Sequence, residues 1–358
     1  MVLNWTVEVI LGLVSLVPYL MGCAIAAKNF KRHREAYALL LMLGWIITTL
    51  YVFVGVLAVL LMVLELYVVT TWIFIIFGFF IILLVDAISR ESIDPVKIGL
   101  WCVVAGMCIV FSTYPGMAQR VTLPSGELSI NYAESVQGVS GVAQLGIFFL
   151  WLYYTARINK HAPRRMKPAS RMLVSGAALV AIGIPAIIFL AIDVIPGGSF
   201  LPGGVGTLLA AMAFAKDPNL AYVLPARVLR LTVIDANNGI RLFSHTWRAG
   251  SEMADDDLFS GALQGISLIV NETMGRGYVR EIRMDEGIMI LQMIEGPSVA
   301  CVLVATNSSR TLRISLARFG EQFGREYKQF FKKGTGTVNV APFKTASSLI
   351  PLYFPFAE

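Results

Sequence analysis

Charged residues are scarce in this chain. Only 15% of its 358 residues are Asp, Glu, Lys or Arg, while 56% are hydrophobic, and the mean hydropathy is +0.71. A soluble globular domain of this length carries about a quarter charged residues. The composition therefore excludes an ordinary soluble protein and predicts an integral membrane protein.

Cysteine and histidine are scarce as well, and neither shows a ligand or redox spacing. The four cysteines lie inside apolar segments without a CxxC pair: Cys23, Cys102, Cys108 and Cys301. This arrangement predicts buried free thiols, with neither a disulfide framework nor a zinc site. The three histidines, His33, His161 and His245, belong to no shared motif, and the chain contains no GxxxxGK[ST], HExxH or GxSxG sequence. We therefore expect no enzyme activity, no metal and no cofactor.

Long apolar runs are what the chain has in abundance. A helix needs about 20 apolar residues to cross the hydrocarbon core of a bilayer. We predict a membrane domain over residues 1–222 with seven spans, of which the second and third form one apolar run interrupted by Glu65, with a tight turn near that residue. The predicted spans are residues 7–27, 37–59, 63–88, 96–113, 138–157, 171–193 and 201–214.

Lysine and arginine concentrate in alternate connections between these spans. Residues 28–35, 90–97 and 157–171 contain twelve of them, whereas the connections on the opposite side contain only Arg120. The positive-inside rule then places the N-terminus outside and the C-terminal part in the cytoplasm of a multi-pass protein of the cell membrane. The net charge of +6 follows from this bias, so it does not indicate a nucleic-acid partner.

Few features inside the membrane domain suggest chemistry. Glu65 and Asp193 fall near outer span ends and are our candidates for an outward ligand pocket. Residues 115–137 read as a small β-hairpin, either a lid over that pocket or an ordinary solvated connector. The Gly183-Ile184-Pro185 sequence predicts a helix kink, and the small pair Gly206 and Ala210 predicts close helix packing.

A second domain, residues 223–332, has soluble character and strand-like alternation. Five strands are predicted over residues 228–236, 240–247, 278–284, 288–294 and 298–306. Two amphipathic helices, residues 255–275 and 309–331, complete the order β-β-α-β-β-β-α. The run from Cys301 to Val304 is continuously apolar, so it should be a central strand covered on both faces. Residues 333–358, rich in Pro, Gly and aromatics, form a C-terminal tail that reads as a poor helix and could pack back on the domain or the membrane.

This element order resembles the longin and roadblock superfamily, in which helices pack on a five-stranded antiparallel sheet. The likeness is closest to longin-like domains of archaeal proteins. It rests on the hairpin Leu231-Thr232-Val233-Ile234-Asp235 to Ile240-Arg241-Leu242-Phe243-Ser244, on Phe259-Ser260-Gly261-Ala262-Leu263, and on residues 301–323 with Asn307-Ser308-Ser309-Arg310. The resemblance implies a non-enzymatic domain that dimerises or docks small Ras-like GTPases. The membrane part more loosely resembles the seven-span sensor modules of prokaryotic receptors.

The combined fold class is an all-α seven-helix membrane bundle followed by an α/β longin/roadblock-like domain. We expect a receptor, sensor or membrane anchor in the lipid bilayer whose cytoplasmic domain docks a signalling or trafficking partner, such as a small GTPase, or forms a homodimer. The candidate partner-binding residues are Arg276, Arg280, Arg283, Arg310 and Arg313, since arginine suits recognition of acidic groups. A solvated face near an anionic leaflet explains these arginines equally well. A transporter or channel with a regulatory domain is the alternative function.

Overall fold

The computed structural model describes residues 3–89, 93–123, 126–190, 196–224, 228–235, 240–247, 280–284, 287–294, 299–306, 308, 310–330 and 340–357. The chain divides into two compact units, Met1–Ala221 and Tyr222–Glu358. We call them the bundle and the sheet unit.

Six helices of the bundle are long and apolar enough to cross a membrane. They indicate a multi-pass membrane protein. They are α1 (Val7–His33), α2 (Ala36–Leu61), α3 (Leu64–Ser89), α4 (Pro95–Thr113), α5 (Glu134–His161) and a composite helix, Arg164–Ile188, which contains α6 (Lys167–Ala178) and the start of α7 (Ile184–Leu190).

The seventh predicted span corresponds to α8 (Phe200–Lys216), which is apolar but has only 17 residues. At 1.5 Å per residue it is about 25 Å long, slightly less than a hydrocarbon core of about 30 Å. The structure thus supports six full-length spans, and the count of seven stays a prediction.

Tight left-handed caps separate the first three helices. Arg34 (φ 52°) ends α1, and Met62 (φ 55°) ends α2. In α2 the amide of Met62 donates to the carbonyls of Ala58 and Val59, which closes the helix two residues before α3 begins. The turn predicted near Glu65 is therefore confirmed, and the apolar run does form two antiparallel helices.

The helices form a closed ring. α1 packs against α2 and α8, α2 against α3, α3 against α5, α5 against α6, and α6 against α8, while α4 lies against α3 and α5 outside the ring. Glycine permits the contact between α6 and α8, because a Cβ on Gly206 would lie 2.5 Å from the carbonyl oxygen of Gly176. Gly206 belongs to the small-residue pair predicted from the sequence, and it does mark a helix contact.

The sheet unit contains five antiparallel strands in the order β4-β3-β7-β6-β5, which confirms the predicted five-stranded antiparallel sheet. The strands are β3 (Val228–Asp235), β4 (Arg241–Thr246), β5 (Glu281–Met284), β6 (Gly287–Ile294) and β7 (Val299–Ala305). β7 is central and buried along its whole length, as its apolar sequence predicts. The helix predicted over residues 255–275 lies outside the described residues.

One face of the sheet forms its larger core with α9 (Arg310–Glu326). Leu312, Leu316, Phe319 and Phe323 recur at helical spacing and are all buried against this face. Val302 and Val304 face the other side of β7, where they form a smaller cluster with residues of neighbouring strands. Both faces of the central strand are thus packed.

The end of the chain belongs to the larger core. Residues Ala341–Leu349 form a 3-10 helix, and α10 (Ile350–Tyr353) follows. Prolines at the first turns of both helices fit there, because those backbone positions need no N–H donor. Phe343 stacks on Phe323 with ring centroids 5.7 Å apart, and Phe354 contacts Trp247 at 5.6 Å. The described part of the predicted tail, residues 340–357, therefore packs on the sheet unit and belongs to its core.

Truncating the tail's main anchor should destabilise the sheet unit. Phe343 is fully buried, so Phe343→Ala should lower the free energy of unfolding by about 3 to 5 kcal/mol. Hydrogen exchange of the β3 and β7 amides in the full chain measures this loss. Leu352→Ala is the matched control, since Leu352 is 70% exposed in the same segment. Equal protection in both variants would show that the tail adds nothing to the core.

Candidate functional site

The bundle encloses a cavity of about 120 Å³ within the helix ring. Residues of α1, α2, α3, α5 and α8 line it, together with residues at the kink before α7. Eight of its 21 lining residues are aromatic: Tyr19, Trp45, Tyr51, Phe74, Phe77, Phe148, Trp151 and Phe200. A concave apolar site with a few polar groups is typical of small-molecule binding.

The lining residues of this cavity include no Asp, Glu, Lys, Arg or His. Two of its neutral polar side chains bond carbonyls of their own helices. The Thr48 hydroxyl donates to the Gly44 carbonyl at 2.8 Å, and the Thr207 hydroxyl donates to the Gly203 carbonyl at 2.7 Å. Gln144 of α5 is within hydrogen-bonding reach of the Tyr51 hydroxyl of α2. The Trp45 N–H of α2 also donates to the Thr207 carbonyl of α8 at 3.0 Å, so polar contacts join α2 to both α5 and α8 at the cavity.

A π-helical turn, Leu179–Gly183, connects α6 to α7 beside the cavity. Pro185 follows directly and has no N–H to bond the carbonyl one turn earlier, which accounts for the irregularity. Val180 and Ile184, on either side of the wide turn, contribute to the cavity wall. A π-helical turn thus ends at Gly183, where the sequence predicts a kink, and its neighbourhood contributes to the site.

Of the two predicted pocket residues, only Glu65 can be placed relative to this cavity. Glu65 lies in the first turn of α3, is exposed, and is absent from the cavity wall. Asp193 lies outside the described residues. Sequence reasoning looked for charge and missed the aromatic wall, because aromatic residues in an apolar helix carry no signal that separates a cavity from a packed core.

The predicted hairpin is confirmed as β1 (Ala118–Thr122) paired with β2 (Leu128–Tyr132). It is fastened to the start of α1. The Glu127 carboxylate accepts from the Val7 amide at 3.2 Å, where the helix N-terminus favours a negative charge. The Ser129 hydroxyl donates to Glu8 at 2.5 Å, and the Asn4 amide donates to the Leu128 carbonyl at 2.9 Å.

Further contacts fasten the hairpin to α2 and α3. Arg120 donates to the carbonyl of Met62 at 3.1 Å. The Tyr132 hydroxyl lies 2.7 Å from that of Thr71 and donates to the Tyr67 carbonyl at 3.1 Å. Burial raises the pKa of Tyr132, so its hydroxyl keeps the proton that this bond uses. The hairpin therefore covers one end of the α1, α2 and α3 group.

The opposite end of the bundle contains a buried ion pair. Asp86 at the end of α3 is 1% exposed and pairs with Lys97 of α4. The same carboxylate accepts from the Asp94 amide at 2.7 Å, and the Lys97 ammonium lies 5.2 Å from the Tyr154 ring centre. A buried carboxylate needs such partners, so the pair fixes the α3 to α4 connection.

In the sheet unit, the predicted arginines fall into three groups. Arg276 lies outside the described residues, and Arg310 begins α9. Arg283 and Arg313 come together on Glu281, at 3.2 and 3.7 Å, with side chains 82% and 57% exposed. Arg280 is exposed beside them, immediately before β5. We call Arg280, Arg283 and Arg313 the arginine edge.

Glu281 organises this edge. The Ser308 hydroxyl donates to its carboxylate at 2.8 Å, and this bond, together with Arg283 and Arg313, holds the pKa of Glu281 below its usual range. The carboxylate therefore stays ionised at neutral pH. It orients Arg283 and Arg313 while leaving most of their surface open.

Two other reactive side chains of the sheet unit are Cys301, which is fully buried, and His245, which is half-buried. Burial raises the pKa of the Cys301 thiol to about 12, so it is an unreactive thiol at neutral pH. Burial also lowers the pKa of His245, whose ring contacts Trp247 edge-on with centroids 4.6 Å apart. Within the described ranges, no three or more His, Cys, Asp or Glu side chains form a metal-binding group.

These features define a multi-pass membrane protein with a neutral, aromatic-walled cavity in its helix bundle and a C-terminal antiparallel sheet unit. Comparisons with protein-family models, curated proteins and solved structures found no match.

Removing a single oxygen atom should loosen the hairpin. Tyr132→Phe removes the hydroxyl shared with Thr71 and Tyr67, and one such bond contributes about 1 kcal/mol. Amides of β1 and β2 should then exchange hydrogen roughly three to ten times faster. Tyr114→Phe serves as control, because Tyr114 is 65% exposed near the same hairpin. Unchanged exchange in Tyr132→Phe would mean that this contact does not fasten the hairpin.

Proposed function

We propose that the protein is a receptor or sensor of the cell membrane, in which the bundle binds a small ligand and the sheet unit docks a signalling or trafficking partner. The observation that carries the proposal is the cavity: a ring of helices closes around an aromatic, uncharged space and is followed in the chain by a folded sheet unit. Structural anchoring alone would not require such a space.

The proposed topology has the N-terminus and the hairpin outside and the sheet unit in the cytoplasm. Its support is the lysine and arginine bias, together with α8 as a short seventh span. A bilayer thins or flanking side chains adjust around a span that is a few ångströms short, at modest cost. With six spans both termini would lie on the same side of the membrane. A measurement of the topology therefore also decides the number of spans.

Labelling in sealed vesicles tests this topology. Thr122→Cys in the hairpin should react with a membrane-impermeant maleimide added outside, and Arg283→Cys should react only after the vesicles are opened. The unsubstituted chain measures background from its own four cysteines. Reaction of both positions from the same side would overturn the seven-span topology.

For the sheet unit we propose a longin/roadblock-like docking module with a non-enzymatic role. Support comes from five antiparallel strands with the last strand at the centre and a helix packed behind it. The arginine edge offers exposed guanidinium groups at the sheet's β5 border, a chemistry suited to an acidic protein surface. A small Ras-like GTPase is the proposed partner. A second copy of the chain is the competing occupant of this border.

Docking should depend on the arginine edge. In the full chain held in lipid nanodiscs, the double variant Arg283→Ala and Arg313→Ala should bind a purified small GTPase about tenfold more weakly. Arg325→Ala is the matched control, since Arg325 is 77% exposed on the same helix and pairs only weakly with Glu321, at 3.9 Å. Binding is measured with the GDP-bound and the GTP-analogue-bound partner. No binding in either state would remove the GTPase from the proposal.

A transporter is the second candidate function, and the π-helical turn in the sixth helix favours it. Irregular helices next to a central cavity occur in transporters. Vesicles containing a chain that ends before the sheet unit separate the two functions. Substrate flux through such vesicles would support the transporter and contradict the receptor.

A further inference from the structure

We propose that the bundle cavity binds a small, uncharged ring compound that carries one hydrogen-bonding group, such as a phenol or an indole. Aromatic side chains would enclose the ring, and Tyr51 with Gln144 would meet its polar group. This ligand class deepens the receptor function proposed above and rests on it.

Cavity size sets the first limit on the ligand. The space amounts to about 120 Å³. Apolar protein cavities of about 150 Å³ accept benzene. The bundle cavity therefore has room for about one ring system.

Charge sets the second limit. A charged ligand entering the cavity would lose its hydration and gain no opposite charge, because the lining residues are all neutral. Aromatic faces attract cations, but known recognition of that kind is strongest where several rings form a cage around the ammonium group. Here Trp45 and Trp151 meet edge to face, at 6.2 Å and 78°. In this arrangement the edge of one indole faces the other ring, and a neutral ligand ring can pack next to the pair.

The polar groups set the third limit. The hydroxyls of Thr48 and Thr207 already donate to carbonyls of their own helices. The Trp45 N–H donates to the Thr207 carbonyl at 3.0 Å. Gln144 supplies both a donor and an acceptor, and Tyr51 supplies a hydroxyl. One hydroxyl or ring N–H of a ligand can be satisfied there, and the other hydroxyl-bearing residues of the wall are Tyr19 and Ser199.

The site also reaches toward the hairpin. Tyr51, which lines the cavity, packs with Tyr67 in one apolar cluster around Val52 and Val56. Tyr67 in turn lies 4.9 Å, centroid to centroid, from Tyr132 of the hairpin. A ligand that moves Tyr51 would therefore act on the tyrosines that fasten the hairpin.

Calorimetry on the full chain in phosphatidylcholine nanodiscs tests the ligand class. Phenol and indole should bind, toluene should bind about five- to tenfold more weakly than phenol for lack of the polar group, and benzoate and benzyltrimethylammonium should not bind measurably. Empty nanodiscs correct for partition into lipid. Equal binding of benzoate or of the ammonium compound would overturn the charge argument.

Two substitutions locate the site. Ile147 is buried and lines the cavity, so Ile147→Trp should fill the space and abolish phenol binding. Val142→Trp is its matched control on the same helix, because Val142 is 72% exposed and absent from the wall. Gln144→Leu should weaken phenol about five- to tenfold and leave toluene unchanged, so it keeps the test valid if Ile147→Trp fails to fold. Identical phenol binding in all three variants would overturn the site.

Partner docking separates failure of the ligand class from failure of the receptor. If no ring compound binds but the sheet unit still docks its partner through the arginine edge, the ligand class is wrong and the docking proposal stands. If phenol binds as expected but saturating phenol leaves both partner docking and hairpin hydrogen exchange unchanged, the site is real and the receptor function is wrong.

Discussion

The cost of burying an uncompensated charge governs this protein. Inside the bundle the buried Asp86 is met by Lys97 and by a backbone amide at the end of α3. Charges also appear at the hairpin end, where Glu127 caps the start of α1. Between these ends the cavity wall is neutral. The rule that keeps helices compatible with lipid thus also decides what the cavity can bind.

Aromatic packing serves two different ends in the two units. In the sheet unit Phe319, Phe323, Phe343 and Phe354 fill the space between α9, the sheet and the chain's end. In the bundle, Trp45, Trp151 and Phe74 surround a space. Large rigid rings leave gaps where the helices cannot approach further, whereas in the sheet unit Phe343 and Phe354 pack into the core beside α9.

Features that depend on a single helix or strand were predictable from the sequence. Features that depend on how helices and strands pack together were not. Hydropathy placed α1 to α5, and alternation placed the five strands, because burial of one element leaves its period in the sequence. The burial of Phe343 depends on prolines that favour short helical turns and on the space beside Phe323. Neither feature produces a periodic pattern in the sequence. Likewise the cavity is a volume left between helices. The sequence predicts which helix positions face inward, but it does not predict that the side chains at these positions leave a space between them.

The glycine contact between α6 and α8 couples two parts of the cavity wall, the π turn and α8. Gly206 and Gly176 approach so closely that neither backbone can shift without moving the other. The π turn lies directly after this contact in the sixth helix, and Thr207 and Ala210 of α8 lie directly after it in the wall. α8 ends at Lys216, only 11 residues before β3 begins at Val228. A ligand that displaces the π turn would therefore displace α8, the helix that leads into the sheet unit.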